Sequence, residues 1–231
     1  MVDLARLTKL NAQRWWQAKV TRDCASVAHR LCDQPAKTRY QVVANKTGVP
    51  WFVIAVIHER EASQSWMASL AQGDRWDRIS IHVPKGRGPF RSFEAAAIDA
   101  LTDCAPYAAR WQDWTAGGAL TLLEQYNGLG YATKGIPSPY VWSGTDQYRS
   151  GKYVSDGVFD PTVVDKQLGC AAIIKAMMAI DPTITFTGVE IVPPKSPPIS
   201  PQPRPVPVSP QPSKWAAFFM AIASLFRGKK S

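Results

Sequence analysis

Large apolar residues recur at three- and four-residue steps near the start of the chain: Leu4, Leu7, Leu10 and Trp15, then Val27 and Leu31. That period gathers them on one helical face, which predicts two or three amphipathic helices between residue 3 and about residue 47. Thr47-Gly48-Val49-Pro50 then interrupts the pattern. Pro50 suits the first turn of a new helix, where an N–H would have no intrahelical partner. The run from Trp51 to Ile57 has no polar face, so it predicts a helix buried on all sides. It passes directly into His58, Glu59, Arg60 and Glu61, with the helix expected to reach about Trp66.

From Gly73 to Phe90, Trp76, Ile79, Ile81 and Val83 alternate with polar residues before Pro and Gly close the segment, which predicts a short hairpin or irregular β segment. Helical periodicity returns in SFEAAAIDALTDC from Ser92, where Ala95 leaves no full capping box, and again in ALTLLEQY. A Gly-, Tyr- and Ser-rich stretch from Asn127 to Pro161 reads as loop, and a last helix is expected from Thr162 to Ala179. The fold class that follows is mainly α (α+β), with a small β-hairpin lobe, for a single body over residues 1–190.

Composition changes sharply after Glu190. Ten of the nineteen prolines lie between Val192 and Lys214, so residues 191–214 are expected to form an extended, semi-rigid linker. Residues 215–231 follow as a short amphipathic helix, with Trp215, Phe218, Phe219, Ile222, Leu225 and Phe226 at helical spacing and Arg227, Lys229 and Lys230 at its end. It is too short for a bilayer span and suits a helix lying in a membrane interface, or packing on the body or on a partner.

The formal charge of +9 gives a positive field that favours polyanionic surroundings without choosing among them. The cations are dispersed and no nucleic-acid-binding motif is present, so nucleic acid is not an expected partner. Cys24, Cys32, Cys104 and Cys170 form no CxxC pair, which argues for thiols rather than a zinc site. The first twenty residues carry no apolar stretch after their charges, so the expectation is synthesis in the cytoplasm without a signal peptide.

The charged end of the apolar helix carries the candidate chemistry. Positions 54, 57, 58, 61 and 65 share a face, so Glu61 lies in line with Ile54 and Ile57 while Glu59 points elsewhere. A carboxyl among apolar neighbours is disfavoured as an anion, and its pKa is expected to rise. That is the property needed to protonate a glycosidic oxygen near neutral pH. The same position also suits an ordinary salt-bridged residue in the last turns of a helix.

VIHEREAS, LAQGD, HVPKGRGPF, AAIDAL, LEQYNGLGY, SPYVWSGT and GKYVSDGVFDPTVVDKQLG together resemble the lysozyme-like peptidoglycan hydrolases of bacteria and their phages, over about Tyr40 to Met178. These are similar to the goose-type lysozyme and lytic transglycosylase superfamily, whose catalytic Glu ends a buried helix in an R-E-S context. Arg60-Glu61-Ala62-Ser63 matches it, with Ala62 where Ser is common, so the resemblance gives Glu61 the general-acid role. Tyr126-Asn127-Gly128 matches the family's turn that holds the sugar beside the scissile bond: a ring face, an amide for an acetamido group, and a backbone free to approach. Leu70-Ala71-Gln72-Gly73-Asp74 matches an L-x-N-G-D loop, with Gln72 in place of Asn and Arg75-Trp76 where Pro-Leu is commoner.

An inverting hydrolase needs a second carboxylate about 6.5 to 9.5 Å from the first to activate water. Asp74 is the candidate, with Asp77 as fallback. His58 and His82 are candidate contacts to sugar hydroxyls, and Tyr131, Tyr140 and Trp142 candidate stacking platforms. The resemblance implies a muramidase of endolysin type that cuts the β-1,4 bond between N-acetylmuramic acid and N-acetylglucosamine and acts on the cell wall after release. Its expected partners are peptidoglycan glycan strands and, through Trp215–Phe226, the membrane interface. It is expected to be a monomer with no cofactor and no metal. A lytic transglycosylase and a non-catalytic wall-binding scaffold are the alternatives.

Overall fold

The all-apolar run forms helix α4, Trp51–Ala62, and Val53 to Ile57 have no solvent contact. Pro50 caps it from outside rather than entering its first turn, its carbonyl accepting the Val53 and Ile54 N–H groups at 2.9 and 3.1 Å. Four helices surround α4: α2 (Ala25–Cys32), α3 (Gln34–Thr47), α6 (Ala116–Asn127) and α9 (Cys170–Ile180). A helix apolar all round is stable only when enclosed in this way, because each large side chain gains roughly 1.5–3 kcal/mol on burial. This computed structural model describes residues 2–188 apart from 72, 83 and 156. The expected linker and C-terminal helix lie outside the described residues.

The N-terminal periodicity resolves into α1 (Leu4–Gln17), α2 and α3. Asp3 opens α1 by accepting the Arg6 N–H at 3.0 Å. Helix α5, Phe93–Thr102, packs on α3, and the Ser92 hydroxyl accepts the Ala95 N–H at 3.2 Å as its N-cap. Short helices α7 (Gly130–Thr133) and α8 (Pro139–Trp142) follow α6. The fold is mainly α with one small antiparallel hairpin among the described residues, β1 (Lys152–Ser155) paired with β2 (Val158–Asp160), Tyr153 opposite Phe159.

The regular hairpin lies at 152–160 rather than at 73–90. The described residues of 73–90 form an irregular β segment without regular strands: backbone bonds cross it from Phe90 N–H to Trp76 O, Ser80 N–H to Arg87 O and Gly86 N–H to Ser80 O at 2.7, 2.8 and 3.0 Å, and side chains take further donors. Asp74 accepts the Ile81 and His82 N–H groups at 3.0 and 3.1 Å, and the Ser80 hydroxyl accepts the Arg87 N–H at 2.9 Å while donating to the Pro84 carbonyl. The last helix likewise starts at Cys170 rather than Thr162. Residues just before it are claimed by distant partners: the Tyr148 hydroxyl accepts the Asp165 N–H at 3.0 Å, and the Val163 carbonyl accepts the Gly151 N–H at 2.8 Å.

Helix α1 lies closest to α6 at Gly117, where an added Cβ would come within 2.6 Å of the Thr8 carbonyl. The same interface buries Glu124 completely. Its Oε2 accepts from Asn11 Nδ2 at 3.3 Å and its Oε1 has no hydrogen-bond partner. Burial raises this carboxyl to about 7, against weaker opposing pulls from Asn11 and Arg14. The folded protein therefore keeps a proton that the unfolded chain loses near its ordinary value of 4.5, and stability falls as pH rises between the two, by up to about 1.4 kcal/mol per pH unit. Glu124→Gln is expected to flatten that slope. In urea unfolding the variant should match wild type near about pH 5 and exceed it by about 1–3 kcal/mol near about pH 8.

Candidate active site

Helix α4 stops at Ala62 because Ser63 turns into the left-handed region, φ +48°, and Gln64 follows at φ +58°. Two successive non-glycine residues there store strain, of order 1–3 kcal/mol each, which the surroundings must over-determine. They do so on several sides. Ser63 N–H donates to Glu59 O at 2.9 Å and Gln64 N–H to His58 O at 3.2 Å. The Gln64 amide accepts from Arg30 Nη1 at 2.5 Å and donates to the Arg30 carbonyl at 3.1 Å. Arg30 also forks onto Glu59, which is thereby committed to a surface ion pair on a different side of the helix from Glu61.

Glu61 is half-buried on the last turn of α4, and its Oε1 accepts the Tyr140 hydroxyl proton at 2.9 Å. Tyr140 comes from α8 and is almost fully enclosed. Burial first, and the Glu61 charge second, push the phenols of both Tyr140 and Tyr126 well above their usual range. The Cys170 thiol at the start of α9 is pushed up to about 12 by burial, Arg60 drawing it down and Glu61 adding to the rise. Residues from α4, α6, α8 and α9 thus converge on one carboxyl.

Arg60 fixes this arrangement through the Tyr140 ring. Its guanidinium lies 4.7 Å from the centre of the Tyr140 ring and donates to Leu168 O at 3.0 Å and Asp165 Oδ2 at 3.2 Å. Asp165 is buried, which opposes its charge, but Lys152 Nζ at 2.8 Å and Arg60 together hold its carboxyl below the usual range. A buried ion pair of this kind fixes geometry more than it adds stability.

The predicted sugar-binding turn lies beside Glu61. Tyr126 donates from its hydroxyl to Leu70 O at 3.2 Å and so holds the loop after α4 against α6. An added Cβ on Gly73 in that loop would meet the Glu61 carbonyl at 3.4 Å, so the loop backs directly onto the helix end. Asn127 is the half-buried last residue of α6, and Gly128 has φ +90° with open space where a Cβ would stand. Glycine is needed there for its backbone, and the open side leaves room for a ligand to approach the chain.

Other predicted site residues are placed differently. His58 has no solvent contact; its Nδ1 meets the Tyr40 hydroxyl and its Nε2 the Ser65 carbonyl, both at 2.9 Å, between Trp66 and Phe93. Burial lowers it to about 4, so it is a neutral core histidine unable to reach a sugar. Trp142 is fully enclosed, and Tyr131 is buried against Tyr153 and Phe159 with its hydroxyl accepting the Tyr153 N–H at 3.1 Å. Neither ring offers a face to a saccharide, nor do the equally buried rings of Tyr126 and Tyr140.

Asp74 is occupied as a loop staple. Besides the Ile81 and His82 N–H groups, its carboxylate contacts the His82 ring nitrogen Nδ1, which ties both predicted residues to each other. Asp77 pairs with Arg75 at 3.0 and 2.6 Å on the surface, an interaction that holds its carboxyl below the usual range. Tyr140 as the hydrogen-bond donor to Glu61, and Asp165 as the anchor of Arg60, had no signal in sequence spacing, because they lie 79 and 105 residues from the groups they hold.

The comparisons add no family assignment: no family model, no curated protein and no solved structure matches this chain.

Tyr140→Phe keeps the ring under Arg60 and removes only the donor to Glu61. A loss of about 0.5–1.5 kcal/mol is expected in urea unfolding, as for a typical intramolecular hydrogen bond. The effect should disappear in a Glu61→Ala/Tyr140→Phe double-mutant cycle if the two groups act on each other alone.

Proposed function

We propose that this chain is a peptidoglycan muramidase that cleaves the β-1,4 bond between N-acetylmuramic acid and N-acetylglucosamine, with Glu61 as general acid. The observation that carries the reading is the half-buried Glu61 carboxyl at the end of the enclosed helix α4, oriented by the Tyr140 hydroxyl and adjacent to the Tyr126-Asn127-Gly128 turn. Glu61 delivers its proton to the leaving oxygen as the bond breaks. Asn127 offers a donor and an acceptor for the acetamido group, and Gly128 leaves the chain open to the ring. Glycan strands of peptidoglycan are the substrate, and the positive charge of the chain holds it on an anionic envelope. The chemistry needs no cofactor. Trp215–Phe226 is the candidate membrane contact of a lysin that acts after release.

A second reading is favoured by the state of Asp74. A carboxylate that already accepts two backbone N–H groups and faces a histidine ring is a weak candidate for the base that activates water. Glu61 then serves first as acid and afterwards as base, and the product is an anhydro sugar, as in a lytic transglycosylase.

Digestion of purified sacculi followed by mass spectrometry tests both readings. Wild type is expected to release muropeptides, and Glu61→Gln to lose about 10²–10⁴-fold in rate with wall binding retained. Reducing N-acetylmuramic acid ends that vanish in Asp74→Asn support hydrolysis with Asp74 as base. Anhydro ends that persist in Asp74→Asn support the second reading. A wild-type protein that binds sacculi without releasing fragments would overturn both in favour of a wall-binding scaffold.

A further inference from the structure

The loop between Asp74 and Arg91 carries a feature that glycan cleavage does not use. Ile79 and Ile81 are 61% and 70% exposed, the two most exposed large hydrophobic side chains among the described residues. They flank Ser80, which is buried, so the alternation of the chain sends both isoleucines outward together. Their projection is held in place. The Asp74 carboxylate takes the Ile81 N–H, the Arg87 carbonyl takes the Ser80 N–H at 2.8 Å, and the Ser80 carbonyl takes the Gly86 N–H at 3.0 Å. Phe90 N–H closes the loop onto Trp76 O at 2.7 Å. An apolar pair displayed on a braced loop is not a loose end that folding failed to bury.

Its surroundings are cationic. Between residues 74 and 91 stand five arginines and lysines against two aspartates, and both aspartates are already engaged, Asp74 with His82 and Asp77 with Arg75. Arg78, Lys85 and Arg91 are exposed and form no ion pair among the described residues. Lys85 sits in the turn that Gly86 and Arg87 close against Ser80, next to the isoleucine pair.

We propose that Ile79 and Ile81 form a membrane-docking finger that enters an anionic lipid surface while Arg78, Lys85 and Arg91 contact the headgroups. The side-chain chemistry selects this occupant. Saccharides and single-stranded nucleic acid are recognised by aromatic faces and hydrogen-bonding groups, which aliphatic side chains do not supply. Aliphatic tips on a loop that also carries exposed cations match an interface that is apolar inside and negative outside. This inference rests on the loop alone and stands whether or not Glu61 is catalytic.

The test uses the full chain with Ile81→Cys carrying an environment-sensitive fluorophore, in a Cys32→Ser background because Cys24, Cys104 and Cys170 are buried. With vesicles of phosphatidylglycerol and phosphatidylethanolamine the emission should shift to the blue, and with phosphatidylcholine vesicles it should not. In sedimentation, Ile79→Ser/Ile81→Ser should lower partition onto the anionic vesicles by about tenfold or more, residues 215–231 being unchanged. A probe that stays in water while the protein sediments with anionic vesicles would overturn the proposal. So would an equal shift with neutral vesicles, or a shift with purified sacculi and none with lipid.

Discussion

The hydrogen bond from Tyr140 to Glu61 at 2.9 Å joins two parts of the molecule that must meet for the candidate site to exist. One is the end of a helix with nowhere to go but the interior: α4 is apolar on every side, and α2, α3, α6 and α9 close around it. The other is the short helix α8, which Arg60 fixes through its contact with the Tyr140 ring and its bonds to Leu168 and Asp165. Burial drives the first and directional polar contacts set the second. A carboxyl at the end of an apolar run is thereby given one orientation, towards the Tyr140 hydroxyl.

The loop after α4 serves two sides of the molecule. Its start is clamped by Tyr126 at Leu70 and backs onto the Glu61 carbonyl at Gly73. Its far part is shaped by Asp74, whose carboxylate gathers Ile81 and His82. The same bonds that occupy the Asp74 carboxylate hold Ile79 and Ile81 as a stable projection, so the mechanistic and docking questions meet in one residue.

Much of this was legible in residue order, and the limits are physical. The enclosed helix could be read because an apolar run with no polar face has one stable environment. Glu61 and Glu59 could be separated because helical period alone sends them to different sides, and Glu59 is indeed bound by Arg30 on the surface. His58 shares the buried face with Glu61, yet burial that favours a reactive carboxyl turns a histidine into a neutral core residue when Tyr40 and Ser65 satisfy both nitrogens. Alternation in residues 73–90 suggested a hairpin or irregular β segment, and backbone bonds from Phe90 to Trp76 and between Ser80 and Gly86 and Arg87 make the irregular form, with Asp74 and the Ser80 hydroxyl taking further donors. Long-range polar partners such as Asp165 for Arg60, or Asn11 for Glu124, leave no periodic trace at all.

As a general acid on peptidoglycan, Glu61 must face an amino sugar held between its carboxyl and the Tyr126-Asn127-Gly128 turn. A crystal structure of the Glu61→Gln protein with an N-acetylglucosamine oligomer measures this directly. A glycosidic oxygen is expected within hydrogen-bond reach of residue 61 and an acetamido group on Asn127. An oligomer bound on another face, with that turn unoccupied, would rule this placement out.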